Sequence, residues 1–428
     1  MFDSAHFDGA RRPGTREMTF MLAGLMALNA LAIDSMIPAL EQIGDDLGAA
    51  AGNARQLVVI AYFIGFGSTQ LLWGPLADRF GRKPVLAAGL ILYGSFALLC
   101  GAAWSFGVLI AARVLQGAAA ATTRVLVVAM VRDLFEREAM ARVMSLVFMT
   151  FMLVPVLAPN IGQTILLFAP WRAIFLVLAV YSVAMLAWCG IRLPETLRPE
   201  HRRSLEWRGM AAAAWATIRE PQSRGYTLAL TITQGTLMAY IASIQQIVFD
   251  GFGAGGMIGI IFAAVAAPMA LASWLNSRIV GKLGLRRVGH SGAAAFALLT
   301  LVHAGIAASG HETLIVFVVL QGLTMASFAF TSSNLGTLAM EHMGPIAGTA
   351  SSVQGVVGTF GAAGIGYLIG QQFDGTAKPF LFGIAACAVA AFLVVLATEP
   401  KRLFAPVAAD PEEQATARQS PLVADDLG

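Results

Sequence analysis

The sequence predicts an all-α membrane protein with twelve transmembrane helices arranged as two six-helix halves. Of its 428 residues, 57% are hydrophobic and 12% are charged, whereas soluble proteins carry about 25% charged residues. The apolar runs are continuous over about 20 residues, which is the length of a membrane-crossing helix and not of an alternating barrel strand. A single long polar interruption falls at the middle of the series, so the helices divide six and six.

The twelve apolar runs follow one another along the chain. They lie near residues 18–40, 55–75, 84–103, 107–130, 143–166, 171–193, 225–248, 256–280, 290–309, 312–336, 347–370 and 379–398. The chain is therefore expected to comprise a cytoplasmic N-terminal segment 1–17, a bundle 18–193, a linker 194–224, a bundle 225–398 and a tail 399–428. Within the linker, Ser204–Glu220 is predicted to form a helix along the membrane surface, and the tail, which lacks a sustained apolar pattern, is predicted to be disordered.

Lysine and arginine indicate the orientation. With the N-terminus inside, 23 of the 28 basic residues fall in cytoplasmic segments, which is the bias that sets topology in membrane proteins. We therefore expect a multi-pass protein of the inner membrane with both termini in the cytoplasm. The net charge of +3 gives no reason to expect a nucleic-acid partner, and a monomer is expected.

The three cysteines lie inside apolar runs. Cys100, Cys189 and Cys387 are therefore expected to be free thiols that pack as small hydrophobic residues. No disulfide, metal site or cofactor is expected. The sequence also lacks a nucleophile–base constellation or a phosphate loop, so an enzyme is not predicted.

A weak internal repeat relates the two halves. The loop after the second run reads GPLADRFGRKPVL over Gly74–Leu86, and the loop after the eighth reads NSRIVGKLGLRRVG over Asn276–Gly289. Aligning Gly81 with Gly284 gives an offset close to the length of one six-helix half. Two parallel repeats with a site at their midplane interface are typical of transporters.

Asp34 is the only acidic residue well inside the predicted spans. It lies roughly 8 Å outside the midplane at about 1.5 Å per residue, and Arg113 in the fourth span lies at a similar depth. An unpaired charge there costs roughly 2.5–3.5 kcal/mol, so the two are expected to face each other or a wet cavity. A carboxylate that is influenced by both burial and a cation can titrate as a cavity opens and closes. We interpret Asp34 as a proton site, the alternative being that it caps local backbone or touches water at the outer surface.

Two other patterns have two interpretations each. Arg124 follows Arg113 by three helical turns, with Gly117 and Ala120 on the same face. Arg124 is therefore expected either to contact substrate or a gate, or to reach the inner headgroups. The small residues leave room either for substrate or for close helix packing. On the seventh span, one stripe suits either a drug pocket or helix packing; it consists of Gln234, Met238, Ile241 and Gln245.

Several motifs carry a resemblance to a known family. The Gly74–Leu86 loop resembles the signature loop of the major facilitator superfamily. RVLQGAAAA (Arg113–Ala121) and LAPNIG (Leu157–Gly162) resemble the arginine motif of its fourth span and the proline-glycine motif of its antiporters' fifth span. AIDSMIPAL, VVAMVRDLF and SSNLGTLAMEHMGPIAGTASSVQG resemble the Bcr/CflA branch of drug:proton antiporters, which includes bicyclomycin and chloramphenicol exporters. One departure is Gln163, which stands where the fifth-span motif usually has a second glycine.

The resemblance implies roles for residues outside the proton site. Asp78 would meet the N-terminus of the eleventh span near Gly344–Ser351, and Arg82 would pair with Asp133 at the end of the fourth span. The implied gate would stabilise the outward-facing state as an inner latch; it comprises Gly74, Asp78, Arg79, Gly81, Arg82 and Asp133. Independently of the resemblance, Pro155 and Pro159 lack backbone donors and should kink the fifth span, and this bend would either help the halves to rock or be a packing feature. With Gly162 they make up the predicted kink motif. His303 would be structural, because the family places the ninth span on an outer support ring.

These expectations together predict proton-coupled export of a small amphipathic drug or metabolite. The partners would be that small molecule, protons and the lipid bilayer. One alternative is a proton-coupled importer of a nutrient or organic anion, for which Arg113 and Arg124 would be anion ligands. Another is a transporter-like sensor or scaffold without flux, against which the intact loop motif and the lone acid speak.

Overall fold

The computed structural model describes residues 14–49, 53–135, 143, 147, 154, 157–197, 207–343, 346–400 and 402–404. These residues form helices joined by turns, and no strand occurs among them, so the prediction of an all-α protein is confirmed. The helices are α1 Thr15–Asp34, α2 Leu40–Asp46, α3 Leu57–Phe80, α4 Arg82–Gly101, α5 Phe106–Leu134, α6 Leu157–Phe168, α7 Arg172–Arg192, α8 Trp207–Arg219, α9 Pro221–Gln246, α10 Ile258–Leu283, α11 Leu285–Ala308, α12 Leu314–Met340, α13 Ala347–Gly370 and α14 Lys378–Thr398.

Eleven helical stretches in the described part of the chain are long and apolar enough to cross a membrane, with α1 and α2 counted as one. The shorter apolar helix α6 lies within the predicted fifth span. Helix α8 lies where the linker helix is predicted. The predicted disorder of the tail falls mostly outside the described residues, as do Pro155 and residues 1–13.

The two halves repeat one another in backbone and in packing. Gly81 and Gly284, the pair aligned in the sequence, both adopt a positive φ, +103° and +89°, where they join one helix to the next. A side chain would be strained in that region of φ, which is why glycine occupies both positions. In the first half α3 packs on α5, and α4 packs on α5 and α7. In the second half α10 packs on α12, and α11 packs on α12 and α14.

Each half has its own apolar core. The largest cluster of buried residues extends from Met18 to Leu193 and draws only on the first half. The next cluster belongs to the second half, apart from Ile37 of the first. The halves meet chiefly where α3 packs against α13. Because these two clusters draw almost entirely on one half each, each half is a packed body of its own.

The two ends of the bundle are named here from the predicted topology. The outer end carries Asn53, Gln246 and Gln371. The inner end carries Gly81 and Gly284, where α3 turns into α4 and α10 into α11.

Candidate functional site

Helix α1 breaks at Asp34 because of Pro38. A proline lacks the N–H that would bond the carbonyl four residues earlier, and its ring crowds that carbonyl, which here belongs to Asp34. The chain turns at Ser35 and passes through a short 3₁₀ helix, Ile37–Ala39, before α2 begins. Asp34 is 3% exposed, and its Oδ1 has no hydrogen-bond partner among the described residues. Buried polar atoms in proteins are nearly always paired, so this unpaired oxygen indicates a place for a proton or a ligand.

The break lies where the two halves meet. From the first half, α6 crosses it closely: a Cβ on Gly162 would stand 2.0 Å from the carbonyl oxygen of Ser35, so only glycine permits the crossing. From the second half, Ile37 packs in one cluster with Tyr240 and Ile244 of α9. Asp34 is thus held between α6 and α9.

Arg113 does not pair with Asp34, which corrects the expectation from their shared depth. Its Nε donates to the carbonyl oxygen of Val58 at 3.0 Å, and Nη1 donates to Oε1 of Gln116 at 2.8 Å. Its guanidinium lies 4.6 Å from the centre of the Tyr62 ring. Arg113 is fully buried, so it ties α3 to α5 inside the first half. The depth of a residue along a helix does not determine which way its side chain points around the helix axis. Arg113 instead donates to two acceptors that lie nearer to it, Val58 and Gln116.

The small residues beside Arg113 serve close helix packing. A Cβ on Gly117 would lie 1.9 Å from the carbonyl oxygen of Tyr62, and one on Gly65 would lie 1.8 Å from that of Val114. The backbones of α3 and α5 therefore pack directly against each other at these glycines. Arg124 is exposed although it lies well inside α5, and its guanidinium lies 5.9 Å from the centre of the Phe66 ring.

The predicted stripe on α9 lies between the halves. Ile241 packs against the cores of both halves, and Met238 lies against Gly366 of α13. Gln245 is fully buried, and neither its Oε1 nor its Nε2 has a partner among the described residues. Gln234 is partly exposed. The stripe therefore serves packing at Met238 and presents an unsatisfied amide at Gln245.

A polar cluster joins the halves at the outer end. The Gln56 amide from the start of α3 donates to Oε1 of Gln246 and to the carbonyl oxygen of Gly370, the latter at 3.0 Å. Asn53 donates to the carbonyl oxygen of Gln371 at 3.0 Å and accepts from Gln246 at 3.0 Å. Nearby, Arg55 forms an ion pair with Asp250. No sequence motif predicted this cluster, because its members are single amides spread over four segments.

Helix α6 adds two contacts between the halves at the same end. Nδ2 of Asn160 donates to the carbonyl oxygen of Gly259 at 3.4 Å, and Nε2 of Gln163 donates to that of Gly256 at 3.2 Å. The residue that departs from the family motif, Gln163, is thus a link to the second half. Pro159 is buried in α6, whereas Pro155 lies outside the described residues, so the kink stays a prediction.

The inner loop of the first half is an ion network centred on Arg82. Its guanidinium lies 2.6 Å from Oδ1 of Asp78 and 3.1 Å from Oδ2 of Asp133. Glu195, which the sequence interpretation missed, accepts from the backbone N–H groups of Arg82 at 2.9 Å and Lys83 at 3.2 Å. The N-terminus of α4 thereby receives a carboxylate, an arrangement that the helix dipole favours.

The contact of Asp78 with the eleventh span stays a prediction, because part of the segment that it would meet lies outside the described residues. Asp78 is engaged by Arg82, and Gly344 and Pro345 lie outside the described residues. Arg79 is exposed, with its guanidinium over the Phe80 ring at 5.2 Å. A Cβ on Gly74 would meet only Val125, at 3.8 Å, so a close approach does not require glycine there.

The second half has a matching network at its inner end. Arg286 lies 2.6 Å from Oε2 of Glu341 and 2.8 Å from Oε2 of Glu399, and the Tyr226 hydroxyl donates to Glu399 at 2.7 Å. Burial opposes ionisation of Glu399, but hydrogen bonds from Arg286 and Tyr226 outweigh it and hold its pKa below the ordinary value. Glu399 follows Glu195 by almost the repeat length, so the repeat is the signal that points to both glutamates.

His303 has an acidic partner beyond the end of its helix. Its Nε2 lies 2.9 Å from Oε1 of Glu312, which follows the end of α11. Its ring also packs on Phe317 of α12, with ring centres 5.7 Å apart. The role that this contact supports is structural, since it connects the end of α11 to the start of α12.

The chain is similar to known proteins in both sequence and fold. The family model of the Major Facilitator Superfamily matches residues 22–366. A bicyclomycin resistance protein homolog of Haemophilus influenzae is 31% identical over 373 residues, which cover 86% of this chain and 92% of the relative. Multidrug resistance protein D of Escherichia coli is 33% identical over 186 residues, 44% of this chain and 47% of that protein.

Among solved structures, a D-xylose-proton symporter superposes with a TM-score of 0.69 at 14% sequence identity, over 89% of this chain and 97% of the symporter. At this identity the superposition supports the fold alone. The family model and the Haemophilus influenzae relative, which is matched over most of its length, go further. The chain belongs to the Major Facilitator Superfamily, in the branch of the bicyclomycin and multidrug resistance transporters, and it is a membrane transporter and not an enzyme.

Proposed function

We propose that the protein exports small amphipathic compounds across the inner membrane in exchange for protons, and that Asp34 is the residue that carries the proton. The observation that carries this proposal is the buried Asp34 oxygen without a partner, at a helix break between the two halves. The relatives named for resistance to bicyclomycin and to multiple drugs favour export of such compounds.

The chemistry follows from competition for one carboxylate. An ionised Asp34 needs a hydrogen-bond donor or a cationic group, because a bare charge at this depth costs roughly 2.5–3.5 kcal/mol. A bound substrate supplies that donor from the inner side. A proton that arrives from the outer side instead neutralises the carboxylate. The substrate is then released, and the protein can return to the state that opens to the cytoplasm. The inward proton contributes about 2.3 kcal/mol per 100 mV of membrane potential.

Movement between the two states would be a rocking of the halves. Each half has its own core and its own inner ion network, so each can move as a body. The polar contacts between the halves at the outer end correspond to the state that is closed on the outside. In that state the substrate would enter from the cytoplasm.

The alternative is a proton-coupled importer of a nutrient or organic anion. It needs free arginines as anion ligands. Arg113 is committed to Val58 and Gln116, which weighs against it, and Arg124 is left as the exposed cation for such a role.

The test is Asp34→Asn in everted membrane vesicles, with Asp45→Asn as the matched control. Asp45 is an exposed acid at the outer end of the same span. Energised vesicles that contain the wild-type protein should accumulate ethidium. Asp34→Asn should lose at least about nine-tenths of that uptake, and Asp45→Asn should keep it.

Membrane amounts of both variants are measured alongside. Gradient-driven accumulation by Asp34→Asn at the wild-type rate would remove Asp34 as the proton site. Depletion of an organic anion from the vesicles in place of ethidium uptake would support the importer.

A further inference from the structure

Asp34 is matched across the half interface by a second unpaired polar group. The hydroxyl of Tyr240 in α9 has no hydrogen-bond partner among the described residues, and Tyr240 is 3% exposed. A buried phenol normally finds a partner for its O–H. One half thus contributes an acceptor without a donor, and the other contributes a donor without an acceptor.

The packing holds these two groups near each other. Ile37, one turn beyond Asp34, lies in the same apolar cluster as Tyr240 and Ile244. Tyr240 is within electrostatic range of the Asp34 carboxylate. The Tyr240 ring is held from the other side by Phe262 of α10, with ring centres 5.6 Å apart. The phenol is therefore fixed in the second half, beside the helix break of the first.

Two polar side chains of the first half near the break use hydrogen-bonding atoms elsewhere. Arg113 is bonded to Val58 and Gln116, and the neighbouring hydroxyl of Ser35 donates to the carbonyl oxygen of Leu31 at 2.6 Å. On α9, Ser243 and Gln245 also carry buried polar atoms without a partner among the described residues. Tyr240 is distinguished from them because it shares the apolar cluster of Ile37 and interacts electrostatically with Asp34.

We propose that Tyr240 is a positioning residue for proton exchange at Asp34: its hydroxyl donates to the ionised carboxylate across the half interface, and a substrate donor or a proton replaces that bond. This inference rests on the proposed function. It adds a physical link between the charge of Asp34 and the contact between the halves, because the bond exists only when the carboxylate is ionised and the halves are close.

The test is Tyr240→Phe, which removes one oxygen that has no partner here and leaves the ring packed on Phe262. Ethidium binding to the purified full chain in detergent is measured between about pH 5.5 and pH 9. The expected result is a shift of the midpoint to higher pH by about half a unit to one unit, a threefold to tenfold change in proton affinity. The reason is that the ionised carboxylate of Asp34 has lost a hydrogen-bond donor, so Asp34 binds its proton more tightly. Affinity at the alkaline plateau should change less than about threefold.

Tyr226→Phe is the matched control on the same helix. It removes a buried hydroxyl that bonds Glu399, far from Asp34, and should leave the midpoint unchanged. In an Asp34→Asn background, Tyr240→Phe should have no further effect on the pH dependence. A wild-type midpoint in Tyr240→Phe overturns the inference about Tyr240. If instead Asp34→Asn keeps the wild-type midpoint, the proposed function itself fails, so the two failures are distinguishable.

Discussion

The outer and inner ends of the molecule use different chemistry for different purposes. At the outer end, the halves are joined mainly by neutral amides, those of Asn53, Gln56 and Gln246, beside a single ion pair between Arg55 and the partly exposed Asp250. At the inner end, the ion networks centred on Arg82 and on Arg286 each lie within one half. The outer contacts hold two bodies together, and the inner ones make each body rigid.

The strengths of these interactions suit that division. A neutral hydrogen bond contributes about 0.5–1.5 kcal/mol net, so a few of them form a gate that opens reversibly. Removing one partner of a buried ion pair costs about 3–5 kcal/mol, which suits contacts that persist through the cycle. Variants at the two ends should therefore differ in kind: outer variants change which state is populated, and inner variants change stability.

The largest effect is expected for Arg82→Ala at the inner end. The change leaves Asp78 and Asp133 without their cation, and Asp133 is mostly enclosed. We expect a loss of about 3 kcal/mol in unfolding free energy, at the low end for a buried pair because Asp78 is partly exposed. Thermal unfolding in detergent measures this, and Arg79→Ala, an exposed neighbour without a described ion pair, is the control.

The same variant also tests the comparison itself. If the inner network only makes one half rigid, the distance between spin labels at Asp45 and Met257, exposed outer positions of the two halves, should stay that of the wild type. A longer distance in Arg82→Ala would mean that the inner network controls the state, as the sequence-based latch predicts.

A smaller effect, of a different kind, is expected for Gln56→Ala at the outer end. Gln56 bonds both Gln246 and Gly370, so its loss should favour opening by about 2 kcal/mol, or about thirtyfold in population. The same spin-label distance should lengthen, while the unfolding temperature changes little. Gln42→Ala, an exposed amide of α2 at this end, is the control. An unchanged distance would show that the amide cluster does not hold the gate.

The smallest effect is expected for Gln163→Ala. It removes one hydrogen bond to the Gly256 carbonyl and should favour opening by about 1 kcal/mol, roughly fivefold. Gln163→Gly, the residue usual in the family, should open to the same extent and also lose about 1 kcal/mol of helix stability. The difference between the two variants separates the gate contact from helix propensity. Equal populations in wild type and Gln163→Ala would contradict the role of this amide.

Much of the fold could be predicted because its signals are local. Continuous apolar runs predict the spans, and the glycine pair at 81 and 284 predicts the repeat. The helix break at Asp34 also has a local cause, because Pro38 cannot donate a hydrogen bond to the carbonyl of Asp34, four residues before it. The pairing of Arg82 with Asp133 was available only from the family resemblance, because their separation along the chain gives no distance.

The missed features depend on direction around a helix axis or on contact between distant segments. A residue count gave Arg113 and Asp34 a common depth, but the choice of Val58 and Gln116 as its partners depends on how α3 packs on α5. His303 gained Glu312 through the turn between α11 and α12. The outer amides are ordinary residues in sequence, and they matter only because the halves bring them together.

Composition, hydrophobic period and glycine positions thus determine that this chain is an all-α membrane protein with an internal repeat and one acid inside its first apolar run. Those properties depend on residues near in sequence and on transfer into a membrane. Which groups face that acid, and which end of the molecule joins the halves, depends on the rotation and packing of helices far apart in sequence. The approach of Tyr240 to Asp34 belongs to this second kind, because no local rule relates one half of the chain to the other.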